Sequence, residues 1–337
     1  MCGCNSNRRL FFLIQVTNLT KRYGEKTALD NVSFSIDSGE VVGLVGLNGA
    51  GKSTTMNILT GYISATSGDV LIGGFNIASD AGKAKRLIGY LPEQPAYYPE
   101  IRVNEHLEFI CGLKGVYKNK QTRSEHISEI CTRVGIADVQ TRMVRNLSKG
   151  YRQRVGFAQA LIGHPKVIIL DEPTAGLDPS QLIEMRNLVK ECGKDGTVIV
   201  SSHILSEVQT VCDRVIIINE GKLIADGTPE ELTGGAVYAS NLTVRIKGDP
   251  DKVTVELRKA EGVTQVRRTG KAEPGAHEYI VYGKKDSDIR EAVFNVMAKA
   301  GLPILALHSS EASLEDVFLQ LTKTSDEESP DEEVSGS

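Results

Sequence analysis

The chain has 337 residues, with 39 Lys and Arg against 43 Asp and Glu for a formal net charge of -4, and its length allows two domains or one large one. A hydrophobic share of 40% and a charged share of 24% are those of a soluble globular protein able to bury a core. The charge balance excludes a nucleic-acid binder that works by bulk positive charge, and zero Trp with 5% aromatic content argues against a stacking platform for single strands.

Residues 1–12 lack the long apolar stretch of a secretory signal and read as a disordered leader. Cys2 and Cys4 offer thiols to a lipid or a metal, but no second ligand pair accompanies them. The six cysteines are scattered, which suits reduced cytosolic thiols better than a disulfide framework. No run of about 18 apolar residues occurs, so no membrane-spanning helix is predicted.

From Leu13 to about Leu232 the pattern is α/β. Short apolar strands at Ser33–Ile36, Val41–Val45, Val167–Leu170, Val198–Val200 and Val215–Ile218 alternate with helical stretches and Gly-rich turns. Their continuous apolar runs predict strands buried on both faces, as in a parallel sheet. Between the strand Val41–Val45 and a helix beginning near Thr54 lies Gly-Leu-Asn-Gly-Ala-Gly-Lys-Ser, residues 46–53, a match to G-x-x-x-x-G-K-[ST]. Such a loop closes its backbone N–H groups around a phosphate at a helix N-terminus, which assigns Asn48, Gly49, Ala50, Gly51 and Thr54 to the cradle. Lys52 then reaches the β- and γ-phosphates, and Ser53 holds Mg²⁺. Downstream, Val167–Leu170 ends in two acids. Asp171 completes the Mg²⁺ shell, and Glu172 orients or deprotonates the attacking water. The chain is expected to bind a nucleoside triphosphate.

Thr233–Ser240, with Gly234 and Gly235, reads as a linker. Beyond it, Leu242, Val244 and Ile246 alternate as a strand, and Asp249 caps a helix with Pro250 at its first position and Val253, Leu257 and Glu261 on one face. Strands follow at Val263–Arg267 and His277–Tyr282. A second helix carries Ile289, Val293, Val296, Met297 and Ala300, and a last strand lies at Ile304–Leu307. Ser313 with Asp316 resembles a capping box for a final helix containing Leu314, Val317, Phe318 and Leu321. The βαββαβ order over residues 241–323 predicts a small α+β ferredoxin-like domain. His277 and His308 are isolated within it, so it reads as a dimerisation or regulatory element rather than a ligand site. Residues 324–337 form an acidic tail expected to be disordered.

Three further segments place the phosphate-binding loop in a branch: Leu147-Ser148-Lys149-Gly150-Tyr151-Arg152-Gln153-Arg154, Ala175-Gly176-Leu177-Asp178, and Ser201-Ser202-His203. With them, residues 14 to about 232 resemble the ATP-binding cassette family, the ATPase subunits of ABC transporters. The resemblance implies a P-loop fold with a parallel-sheet core, an antiparallel β subdomain and a helical subdomain. It implies that Tyr23 stacks on adenine, that Gln94 touches Mg²⁺ and the attacking water and links the site to a membrane partner, and that His203 contacts the γ-phosphate. Ser148 and Gly150 match the signature that binds the γ-phosphate of the nucleotide held by the opposite subunit, and Asp178 the loop coupling the two sites. Lys149 and Tyr151 stand where the commoner signature has glycine and glutamine; the lysine opposes the helix dipole yet sits beside phosphate charge.

The resemblance therefore implies a dimer, with a second copy or a related ATPase subunit, that closes on ATP and opens after hydrolysis. It also implies a separate integral membrane permease, and a peripheral place on the cytoplasmic face of the membrane. The partner's helix is expected to dock over Gln94 to about Val116, with Tyr97, Tyr98, Val103, Leu107, Phe109 and Ile110. The signature and the ending Ser-Leu-Glu-Asp-Val-Phe-Leu-Gln-Leu-Thr resemble the ABC-2 branch, which contains drug, polysaccharide, lipid, copper-maturation and gliding-motility systems, so export is the main expectation. An importer ATPase, whose C-terminal module is often longer and β-rich, is the alternative. Soluble ABC ATPases are a further one, but repair types insert long coiled coils where only 99 residues separate Gly51 from Gly150, and translation types usually carry two cassettes.

Overall fold

The computed structural model describes residues 12–235, 241–273, 275–284 and 287–310, together with 314, 315 and 318. They fall into two compact units that part between Gly227 and Thr228. In the first, β1 (Ile14–Tyr23) and β2 (Lys26–Ile36) form an antiparallel ribbon, far longer than the predicted strand Ser33–Ile36. β3 (Val41–Val45) runs into a Gly-rich loop and α1 (Lys52–Leu59). β4 (Ser67–Ile72) and β5 (Phe75–Asn76) complete an antiparallel sheet of order β2-β1-β4-β5. α2 (Ala81–Arg86) and β6 (Ile88–Leu91) lead to a helical segment of α3 (Val103–Lys114), α4 (Lys120–Arg133) and α5 (Lys149–Leu161). The chain then returns through β7 (Val167–Asp171), α6 (Pro179–Asp195), β8 (Thr197–Ser202), α7 (Leu205–Val211), β9 (Arg214–Asn219) and β10 (Lys222–Gly227). The second sheet has order β10-β9-β3-β8-β7-β6 and is parallel except at β10.

Every position of β3 and β7 is buried, as continuous apolar runs in a doubly covered parallel sheet require. On one face, Val42 and Leu44 of β3 share a core with Met56 and Leu59 of α1 and with Ile14, Val16 and Phe34 of the ribbon. On the other face α7 lies directly against β3, because a Cβ at Gly43 would come within 2.1 Å of Val208 Cγ1. Both layers lock the carboxyl ends of β3, β7 and β8 next to one another, where crevices form in open α/β sheets.

The second unit contains α8 (Pro229–Gly235), β11 (Asn241–Lys247), α9 (Pro250–Leu257), β12 (Val263–Glu273), β13 (Ala276–Gly283), α10 (Arg290–Lys299) and β14 (Ile304–Ser310). Its sheet has order β12-β13-β11-β14, all antiparallel, which is the expected ferredoxin-like plan. Leu242, Val244 and Ile246 pack on Val253 and Leu257 of α9 and Val293 and Met297 of α10. Asp249 caps α9 as predicted, its Oδ1 accepting from the N–H groups of Asp251 (3.2 Å) and Lys252 (3.0 Å).

Two boundaries differ from expectation. Glu261 lies past the end of α9, because the chain turns at Ala260–Val263 with Gly262 at φ 81°. Thr233–Gly235 are the last turn of α8 rather than linker, since Thr228 and Glu231 exchange capping bonds (Glu231 Oε2 accepts from Thr228 N at 2.9 Å, Thr228 Oγ1 from Glu231 N at 3.1 Å) and start a helix there. Leu314 and Phe318 are helical and buried. The predicted leader up to residue 11, linker residues 236–240, the Ser313/Asp316 capping box, Val317, Leu321 and the acidic tail lie outside the described residues.

Candidate functional site: a nucleotide cleft

The loop between β3 and α1 is closed by Ala50 N donating to Leu47 O (3.1 Å). Gly51, the N-cap of α1, takes φ 113°, and a Cβ there would stand 2.8 Å from Ala28 O and 2.7 Å from Leu29 Cδ2. Only glycine meets both demands. The result is a cleft of about 380 Å³ lined by Asn48, Gly49, Gly51, Lys52, Ser53 and Thr54. Of the expected cradle residues, Ala50 faces inward instead, buried, with its carbonyl accepting from Gly221 N (2.9 Å). The ribbon adds Tyr23, Lys26 and Ala28, and the strand ends add Glu93, Glu172, Ala175 and His203. The Tyr23 ring is 48% exposed at the rim, with Lys21 Nζ 5.0 Å from its centroid.

The two acids after β7 stand apart in role. Asp171 Oδ1 accepts from Ser201 Oγ (2.5 Å) and from Ser53 Oγ (3.4 Å), so the two expected metal ligands are neighbours, Ser53 lining the cleft and Asp171 buried behind it. Hard oxygen donors on adjacent elements fit Mg²⁺. Glu172 points the other way: its Oε2 lies 2.8 Å from His203 Nδ1 and its Oε1 3.9 Å from Lys52 Nζ. Burial pushes the Glu172 carboxyl above the ordinary glutamate range, with the His203 hydrogen bond and Lys52 pulling it back. Burial likewise pushes Lys52 down, opposed by Glu172, Asp171 and Glu93. Lys52 Nζ also donates to Gly46 O (2.8 Å) and Leu47 O (3.2 Å), so the loop's own carbonyls satisfy the ammonium. Ser201, which sequence reading left without a role, binds Asp171 and also accepts from Glu172 N (2.9 Å).

One expectation is corrected. Gln94 does not reach the cleft; it lines a separate groove with Tyr62, Tyr90, Pro92 and Lys114, and Glu93 faces the cleft instead. The chain bends at Glu93 and Gln94 after β6 ends at Leu91, and the bend sends the two side chains to different grooves. Sequence reading looked for an amide and passed over the carboxylate beside it.

The signature residues lie away from this cleft's lining. Ser148 caps α5, its Oγ accepting from Tyr151 N (3.3 Å). Gly150 packs on α6, where a Cβ would fall 2.3 Å from Gln181 Oε1. The departures from the common signature have local partners. Tyr151 OH donates to Asp138 Oδ2 (3.3 Å), and the Lys149 ammonium lies over Gly176. Asp178 caps α6 by accepting from Gln181 N (2.9 Å) and Ser180 Oγ (2.7 Å), bonds that hold its carboxyl below the ordinary aspartate range.

The expected docking segment divides in two. Val103 and Leu107 are fully buried core, and Tyr97 OH donates to Arg152 O (2.5 Å), whereas Tyr98 and Phe109 are exposed in an edge-to-face pair 5.3 Å apart. Among the described residues one other cluster has metal-ligating types, His126, Glu129 and His164. His126 Nε2 accepts from Gly163 N (3.1 Å), which leaves the proton on Nδ1 facing Glu129, a tautomer that holds no metal there.

Comparison with known proteins agrees with this geometry. Residues 29–175 match the family model described as ABC transporter. The linearmycin resistance ATP-binding protein LnrL of Bacillus subtilis (strain 168) is 31% identical over 315 residues, spanning 92% of this chain and 98% of that protein. The bacitracin transport ATP-binding protein BcrA of Bacillus licheniformis is 33% identical over 322 residues, spanning 92% and 97%. A cassette solved as a dimer in a post-hydrolysis state with ADP and Pi is 27% identical, covers 64% of this chain and 98% of its own, and superposes with a TM-score of 0.59. A phosphate cradle, an acid pair on the adjoining strand and similarity along nearly the whole length converge on one answer: the chain belongs to the ABC transporter family, as an ATP-binding and ATP-hydrolysing subunit.

Proposed function

We propose that this subunit drives export through a separate membrane-spanning permease, working at the cytoplasmic face of the membrane as a pair with a second copy of itself or a related ATPase subunit. The observation that carries the export reading is that similarity to LnrL and BcrA runs through 92% of the chain and so extends beyond the first unit into the second. No helix among the described residues is long and apolar enough to cross a membrane, which fits a separate pathway. The groove beside Gln94, together with the exposed Tyr98 and Phe109, is the surface proposed for the permease.

In this reading the N–H groups of the loop and Lys52 hold the phosphates, and Tyr23 stacks on the adenine. Ser53 and Asp171 hold Mg²⁺, which neutralises phosphate charge when bound. Glu172 takes the proton of the attacking water, and His203, bonded to it, orients it and reaches toward the γ-phosphate. Ser148 and Gly150 serve the cleft of the opposing subunit, and Asp178 links the two sites.

The test is capture of the Glu172→Gln protein from its native cells in mild detergent, with and without ATP. A stoichiometric multi-span protein in the captured complex supports the reading; ribosomal or soluble partners alone would overturn it.

The correction at β6 makes a second expectation. Glu93→Ala lowers Mg²⁺-supported turnover by about tenfold or more, as loss of a charged group lining the cleft that holds Lys52 and Glu172 should. Gln94→Ala leaves turnover of the isolated subunit near the parent value. Steady-state hydrolysis against Mg²⁺ concentration checks both, and the opposite ranking would restore Gln94 to the cleft.

A further inference from the structure

We infer that Thr174 and Glu207 form a buried positioning pair that holds the hydrolytic loop in its working shape, an inference resting on the assignment of Glu172 as the base. Glu207, on α7, is only 6% exposed. A carboxylate so buried is costly unless it is bonded. Its Oε2 accepts from Thr174 Oγ1 at 2.6 Å, the short distance of a hydrogen bond to a charged acceptor. Its Oε1 lies 3.8 Å from Arg186 Nη2 of α6. One side chain thus ties together the loop after β7, the helix that Asp178 caps, and the helix that follows His203.

The loop needs such an anchor. Glu172 has φ 49°, a left-handed backbone that a residue with a side chain adopts only when its surroundings impose it. On its N-terminal side the constraint is Ser201 Oγ, which accepts from Glu172 N. On the C-terminal side, the turn bond from Ala175 N to Glu172 O (3.1 Å) encloses Thr174, and the only side-chain bond described for Thr174 is the one to Glu207. Glu207 lies on α7, which begins two residues after His203, so the same bond ties the helix following His203 to the loop bearing Glu172. Neither residue of the pair lines the nucleotide cleft. The pair acts through the geometry of the His203–Glu172 contact.

Thr174→Val keeps the side chain's shape and removes its donor. The expected result is kcat lowered about ten- to a hundredfold, the scale of a small misplacement at a reacting centre, with ATP affinity unchanged. Thr174→Ser, which restores the hydroxyl, restores kcat. A Thr174→Val/Glu207→Gln cycle is non-additive, as for any directly bonded pair. A lowered melting temperature with parental kcat would mean the pair only stabilises the fold, and a serine variant as slow as the valine would remove the hydroxyl from the account; either outcome overturns the inference. If Thr174→Val does not fold, Glu207→Gln carries the same decision on kcat at unchanged affinity. Glu172→Gln is measured alongside. Full turnover there would sink the base assignment itself, whereas an inactive Glu172→Gln beside a parental Thr174→Val sinks only the positioning pair.

Discussion

Replacing Glu172 by glutamine leaves ATP binding intact and lowers hydrolysis about 10²–10⁴-fold, the range expected when a positioned base is lost. The substitution keeps the side chain's size and its place beside His203 and Lys52 but removes the negative charge, so the cradle is untouched. Because the nucleotide is bound and not consumed, the ATP-closed pair accumulates, and size measurement by light scattering in ATP reports it. The parent enzyme should carry a matching pH signature. Burial raises the Glu172 carboxyl above the ordinary glutamate range in the unliganded protein, and kcat/KM reports the free enzyme's groups. The base is active when deprotonated, so kcat/KM falls as pH drops through that raised value, earlier than for a solvent-exposed glutamate. Glu172→Gln loses this acid limb. Undiminished turnover in the variant would remove Glu172 from the chemistry.

The site was legible where function is written in backbone. A Gly-rich turn between an apolar strand and a helix, and a strand that ends in two acids, have few alternatives once both occur in order; Gly49, Gly51, Lys52, Ser53 and Glu172 line one cleft, while Ala50 and Asp171 are buried behind it. What stayed hidden depends on side-chain direction. Glu93 and Gln94 are adjacent, and nothing in their order says which one the bend after β6 turns inward. Ser201 and Glu207 act through hydrogen bonds to residues 30 and 33 positions away, a separation at which sequence offers no periodic signal. In the helical segment, Val103 and Leu107 share the apolar character of Tyr98 and Phe109, and only the packing of α3 separates core from surface. The second unit was more transparent, because an Asp-Pro cap and two-residue alternation are local devices that need no distant partner.

Lys52→Ala should act at the other end of the cycle, on binding rather than on chemistry. Lys52 is the cation placed against the cradle, only 6% exposed, and held by Gly46 O, Leu47 O and Glu172. Incoming phosphate oxygens replace those partners with charged ones, and hydrogen bonds to charged groups are worth roughly 1.5–3 kcal/mol each. Truncation is therefore expected to weaken ATP about ten- to a hundredfold, measurable by titration with a fluorescent nucleotide or by calorimetry. The same substitution removes a positive charge that draws the Glu172 carboxyl downward, so the acid limb of whatever turnover remains moves to still higher pH. The two effects separate the roles: Glu172→Gln lowers turnover at full occupancy, and Lys52→Ala lowers occupancy first. An unchanged dissociation constant in Lys52→Ala would take the lysine out of the cradle and leave the loop's N–H groups to hold the phosphates alone.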